Sequence, residues 1–259
     1  MFHMLQLAVI AAVTIPLATL TIMLGLVDPH GKFVYRINRF WTWLILRIGG
    51  ILLQVKGLEN IDPARSYVFV VNHQSNIDIP VLVQSLIPFQ LRWIAKKELL
   101  RVPFFGWAMW ATKHIIVDRA DPLDAMRSLA RAKKRIAAGV SVVVFPEGTR
   151  SRDGKLLRFK KGGFLLAVET QTTIVPVTIN GSGKVLPAGD WRLNPGTIEI
   201  IVDKPVPIGG FRPGNLRLLS DQVRNLIAAH LRPAGAETPA STTANKPMLD
   251  KHVFDKQGA

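Results

Sequence analysis

Hydrophobic spacing changes three times along the chain, and each change predicts a different kind of element. From Met4 to Val27 the run MLQLAVIAAVTIPLATLTIMLGLV carries no formal charge over 24 residues, where a hydrocarbon core takes about 20 helical residues to cross. It reads as a membrane segment. Pro16 and the scattered threonines leave open a helix dipped into one leaflet. No Lys or Arg precedes the run and no small-x-small site follows it, so it does not read as a cleaved signal peptide.

The next stretch, KFVYRINRFWTWLILRIGGILLQVKG, interleaves Trp41, Trp43 and aliphatics with Arg36, Arg39 and Arg47. That is the composition of a helix lying at headgroup level, with an amphipathic helix packed on the domain as the plainer alternative. Positive charge just after the apolar run puts the downstream chain on the cytoplasmic side of the inner membrane.

From Tyr67 onward short β-rich runs alternate with helical ones, which predicts an α/β fold. Strands are expected at 67–72, 92–96, 113–118, 141–145, 173–179 and 197–203. Their near-continuous apolar character predicts a mixed sheet buried on both faces and flanked by helices. The clearest helix opens at Asp121 as cap and Pro122 in the first turn, and Gly139 ends it. A second amphipathic helix is expected over 215–231. Residues 233–259, rich in Pro, Ala, Thr and charge, read as a disordered tail. The expected organisation is therefore anchoring helices over 1–57, an α/β domain over 58–232 and the tail.

At 259 residues the chain suits one substantial domain with appendages. Lys and Arg number 33 against 18 Asp and Glu, a net charge of +15 that favours phospholipid surfaces, phosphorylated substrates or nucleic acid. The basic residues are dispersed, with no zinc-finger or aromatic RNA-binding pattern, which argues against nucleic acid. There is no cysteine, so disulfides, thiolate metal sites and a cysteine nucleophile are excluded, and any thioester must be carried by a substrate. The six histidines have no metal-ligand spacing, and no metal site is expected.

NHQSNIDIP (72–80) follows the strand YVFVVN, so His73 stands at a strand end, where α/β sheets place reactive groups. Five residues on a helix amount to about 140° of rotation, so Asp78 meets His73 only if the chain between them turns. Asn72, Ser75 and Asn76 supply turn chemistry. Asp78 would then accept from one imidazole nitrogen and leave the other to take a proton. The plainer alternative is a helix cap beside a core-edge histidine. A second cluster, VVVFPEGTRSRDGKLLRFKKGG, ends a buried strand in a turn bearing Glu147, Gly148, Thr149 and Arg150, and a guanidinium is a planar, bidentate phosphate ligand.

NHQSNID followed by FPEGTRSR resembles the membrane-associated glycerolipid acyltransferases, especially the 1-acylglycerol-3-phosphate acyltransferases. AKKELLRVPFFGWAMWATKHIIVDR and TIVPVTI resemble the family's second and fourth blocks, and the likeness covers roughly Tyr67 to Val206. It implies that His73 is the general base and Asp78 its orienting partner. Glu147 and Gly148 would shape the acceptor pocket, in the turn that also holds Thr149, and Arg150 would bind the acceptor's phosphate. Arg119 and one of Lys96 or Lys97, Lys97 foremost, would be further phosphate ligands. The implied reaction moves an acyl group from acyl-CoA or acyl-carrier protein, with no bound cofactor, to the sn-2 hydroxyl of lysophosphatidic acid at a phospholipid membrane. Another lyso-lipid or glycerol 3-phosphate is the alternative acceptor. A covalent route through Ser75 is not implied. The aromatic patch Pro103 to Trp110 would border an acyl channel, rest in the bilayer or join the core.

Overall fold

The computed structural model describes residues 1–118 and 121–232; the expected tail lies outside them. Two helices open the chain, α1 (Phe2–Gly25) and α2 (Lys32–Ile48). The rest alternates as β1 (Ile51–Lys56), β2 (Val68–Val71), α3 (Asp78–Ser85), β3 (Leu91–Lys96), α4 (Phe105–Ala111), β4 (Ile115–Val117) and α5 (Pro122–Ala137). It continues as β5 (Ser141–Val144), α6 (Gly162–Thr170), β6 (Ile174–Asn180), α7 (Ser182–Val185), β7 (Gly196–Val202) and α8 (Leu216–His230). The seven strands form one sheet in the order β1-β7-β6-β2-β5-β3-β4, parallel at every pairing except β6 with β7.

The apolar runs are buried on both faces, as their composition predicts. Phe69, Val71, Val143, Val175 and Val177 join a core under α2 and α3. Val68, Val70, Val142, Val144 and Ile174 join another, with α6 and α8. Successive strand side chains point to opposite faces, so β2, β5 and β6 each feed both cores. His73 continues the Phe69 and Val71 series just beyond the end of β2.

Three local features correct the pattern-based reading or decide between its alternatives. ILLQVK forms β1 instead of prolonging the amphipathic helix: Gly50 takes φ +62° after Gly49 closes α2, and β1 pairs with β7 along its length. The sheet therefore begins within the segment expected to be only anchoring helices. Pro176, which cannot donate a strand hydrogen bond and so calls for a sheet edge or an irregularity, sits in an interior strand. Its missing N–H falls at an irregularity: Val177 faces Val202, but Ile174 bridges Val206, one residue out of step, and Asp203 donates to the Pro176 carbonyl. Third, α2 packs on the domain, burying Val34, Tyr35, Ile45 and Leu46.

Helix α1 is long and apolar enough to cross a membrane, yet it lies along the domain. Gln6 donates to the Ile48 carbonyl (3.1 Å), Trp41 to the Thr14 hydroxyl (2.9 Å) and Lys113 to the Gly25 carbonyl (3.0 Å). The turn between α1 and α2 is clamped from beneath by Arg92, which is fully buried. Its guanidinium donates to the Gly31 carbonyl (3.0 Å) and stands over the Tyr35 ring. Burial pushes its pKa down to about 10, which leaves it charged at neutral pH.

Asp28 completes the turn by accepting from the amides of Lys32, Phe33 and Val34, groups that a helix start leaves unpaired. Burial pushes this carboxyl up, but the amide bonds outweigh it and hold the pKa below the usual range. A depressed carboxyl stabilises the fold above its unfolded pKa and loses that contribution as pH falls. Asp28→Ala should lower stability by about 1–2 kcal/mol at neutral pH. In thermal unfolding, the gap to wild type should shrink as the pH is lowered through the carboxyl range.

Candidate active site

Between the end of β2 and the start of α3 the chain turns, as the His73–Asp78 spacing requires. Asn72 anchors the turn: its amide donates to the Ile179 carbonyl (2.9 Å) and its oxygen accepts the Ile179 N–H (2.7 Å), fixing it to β6. Asp78, the first residue of α3, is fully buried. Its Oδ2 accepts from His73 Nδ1 (2.8 Å) and from the amides of Gln74 and Ser75 (2.9 Å each). One carboxylate oxygen thus shapes the turn and orients the imidazole. Among the described residues Nε2 has no hydrogen-bond partner.

Phe145, whose ring stacks on that of His73 at 3.9 Å and 15°, fixes the plane of the imidazole. No local pattern singles it out, because its position beside His73 depends on the pairing of β2 with β5.

Glu147 is buried and braces the backbone. Oε1 accepts the His73 N–H (2.8 Å) and Oε2 the Leu157 N–H (2.9 Å). Ser151 N–H donates to the His73 carbonyl (2.8 Å), so two segments far apart in sequence are joined at His73. Burial raises the Glu147 pKa, while the Leu157 and His73 amides pull it part of the way back. Gly148 takes φ +72°, a left-handed turn that suits glycine, and carries the chain out toward Arg150.

A cavity of about 360 Å³ opens beside this cluster, more than twice the ~150 Å³ void that holds a benzene ring. His73, Phe145, Gly148, Thr149 and Arg150 line one part of it. The other walls come from α1 (Leu17, Ala18), α2 (Ile37, Trp41) and α4 (Phe105, Met109). The expected base and phosphate ligand therefore share one space with an apolar recess. Phe105 borders it, whereas Trp107 and Trp110 stand half exposed on α4.

Lys97 is exposed and pairs with Asp118 at 3.3 Å; it is Lys96 that lines the cavity, because the chain leaves β3 for a tight 3-10 turn at Lys97. Arg119 lies outside the described residues. Ser75 is unsuited to act as a nucleophile: it is fully buried, and its hydroxyl donates to the Leu186 carbonyl (2.6 Å) and accepts the Ile77 N–H.

A family model described as acyltransferase matches residues 52–180. A 1-acyl-sn-glycerol-3-phosphate acyltransferase from Pseudomonas aeruginosa is 37% identical over 191 residues, covering 73% of each chain. A chloroplastic enzyme of the same description from Brassica napus is 38% identical over 199 residues, covering 76% of this chain and 56% of its own. This chain spans about half the length of the plant and algal relatives it matches. The crystal structure of the 1-acyl-sn-glycerophosphate acyltransferase PlsC from Thermotoga maritima superposes with a TM-score of 0.73 at 29% identity, covering 88% of this chain and 92% of that one.

Glu147→Gln tests the brace. A carboxamide accepts through one oxygen only, so one of the two amides loses its acceptor. Stability should fall by about 1–3 kcal/mol in thermal or denaturant unfolding.

Proposed function

The chain belongs to the acyltransferase family that includes the 1-acyl-sn-glycerol-3-phosphate acyltransferases, and on that premise we propose that it acylates the sn-2 hydroxyl of lysophosphatidic acid to give phosphatidic acid. The observation that carries this reading is the shared cavity, in which an oriented histidine, an arginine and an apolar recess face one another. Each part answers to one part of the substrates: the hydroxyl, the phosphate and the fatty chain.

The chemistry follows from the two ends of the imidazole. With Nδ1 held by Asp78, Nε2 takes the proton of the acceptor hydroxyl as its oxygen attacks the thioester carbonyl. The tetrahedral intermediate collapses with cleavage of the C–S bond. The thiolate leaves with the electron pair, and the imidazolium returns its proton to the sulfur or to water. Arg150 and Lys96 hold the acceptor phosphate, the guanidinium by its two-pronged geometry. The acyl donor is a thioester of CoA or of acyl-carrier protein, with no bound cofactor.

The membrane enters through α1. Leu5, Ile15, Leu20 and Met23 are exposed on this helix, while Leu17 and Ala18 line the cavity. An amphiphilic acceptor would thus pass from lipid to His73 along apolar surface. The catalytic domain would face the cytoplasm, its basic surface resting against anionic phospholipid.

A thiol-release assay with lysophosphatidic acid and an acyl thioester tests this assignment. His73→Ala should cut kcat about a hundredfold to ten-thousandfold, and full activity in that variant would sink the mechanism. Ser75→Ala should keep most of its turnover. Arg150→Ala should raise the KM for lysophosphatidic acid about tenfold to a hundredfold, as expected for losing a charge-assisted hydrogen bond, with the donor KM little changed.

A further inference from the structure

The recess is not uniformly apolar, and its polar groups differ in how they are paired. Thr14 and Thr112 both line it, but their hydroxyls are committed to helix carbonyls, of Ile10 (2.7 Å) and Ala108 (2.8 Å). Thr21 also lines it and is buried, and its hydroxyl has no protein hydrogen bond among the described residues. His114 is the fourth. Its Nδ1 accepts the Trp93 N–H at 3.3 Å, and the Trp93 indole packs edge-on against the ring at 5.3 Å.

An imidazole that accepts at Nδ1 carries its proton on Nε2. Burial, with the Arg92 charge adding to it, pushes the His114 pKa down to about 3, so the ring is neutral. Among the described residues nothing accepts from Nε2–H. An acyl chain without a polar group would displace water from this donor and leave it unpaired, which costs binding energy. A chain carrying an oxygen at the same depth would satisfy it.

The sheet sets that depth. His73 follows β2 and His114 precedes β4, three strands apart in the order β2-β5-β3-β4. At about 4.8 Å per strand this is roughly 14 Å across the sheet, and the strand registers put His114 level with Phe69, four residues before His73, which adds about 13 Å along the strands, so the two backbone positions stand roughly 19 Å apart. The oxygen would therefore belong to the distal part of the chain, far from the thioester.

We propose that His114, with Thr21, is a specificity determinant of the acyl recess, selecting acyl chains that carry a distal hydroxyl or similar oxygen over unsubstituted chains. The inference rests on the acyl-transfer reading for what the chain is attached to, but not for the polarity of the recess.

The test compares ricinoleoyl-CoA with oleoyl-CoA, which differ only in a hydroxyl beyond the middle of the chain, on the full protein in detergent. Wild type should favour ricinoleoyl-CoA in kcat/KM by about threefold to tenfold, as one hydrogen bond provides. His114→Phe should abolish or reverse the preference, and His114→Gln, which keeps an N–H donor, should retain it. Thr21→Val, which leaves the Trp93 contact intact, should weaken it if the phenylalanine variant does not fold. Binding of ricinoleic and oleic acids, followed by tryptophan fluorescence, should show the same order without turnover. A binding preference without acyl transfer would support the recess assignment and count against the acyl-transfer reading. Equal binding and turnover of the two chains in wild type, or a preference that survives in His114→Phe, would overturn the proposal.

Discussion

The site depends on one oxygen atom, Asp78 Oδ2, which accepts from the His73 ring and from the amides of Gln74 and Ser75. Without that acceptor the segment after β2 would have two buried N–H groups to satisfy elsewhere and an imidazole free to rotate. With it, the turn and the tautomer are set together. Placing Asp78 at the start of α3 adds the favourable field of a helix N-terminus to the three hydrogen bonds.

A second buried carboxylate does for two distant segments what Asp78 does within one. Glu147 receives amides from His73 and Leu157, so the turn bearing Arg150 is referenced to the histidine through backbone contacts. Burying this charge is costly, and the two amides offset only part of that cost, consistent with its raised pKa. What the arrangement secures is geometry: His73 and Arg150, in the loops after β2 and β5, are held around one space. Arg92 acts similarly below the helical hairpin, where a buried cation is held by carbonyls and an aromatic face, with its Nε left without a hydrogen-bond partner among the described residues. It holds the hairpin so that α1 can wall the recess.

Much of this fold was legible before any coordinates. The buried strands announced themselves through unbroken apolar runs, and α5 through Asp121, which caps it by accepting from Leu123. The segment β1 was not legible, because ILLQVK continues the composition of the helix before it and only its pairing with β7 makes it a strand. Pro176 told of a sheet edge or an irregularity without saying which, and only the pairing partner shows that one residue of offset opposite it removes the demand for a donor. Lys97 stands before Lys96 in the sequence-based expectation with no local feature to separate the two; where the strand gives way to a tight turn determines that Lys96 is the one that reaches the cavity.

By itself, then, the sequence determined the chemistry: a histidine with a carboxylate five residues on, an arginine in a glycine-bearing turn, and an apolar N-terminal run. Residue type and local spacing suffice for this, since reactivity belongs to side chains and turns are encoded over a few residues. Only the tertiary structure decided what those groups face. The stacking of Phe145 on His73, the bracing role of Glu147, the placing of His114 against Trp93 and the wall that α1 contributes all join residues remote in sequence. Such contacts are fixed by strand order and helix packing, which no local pattern records.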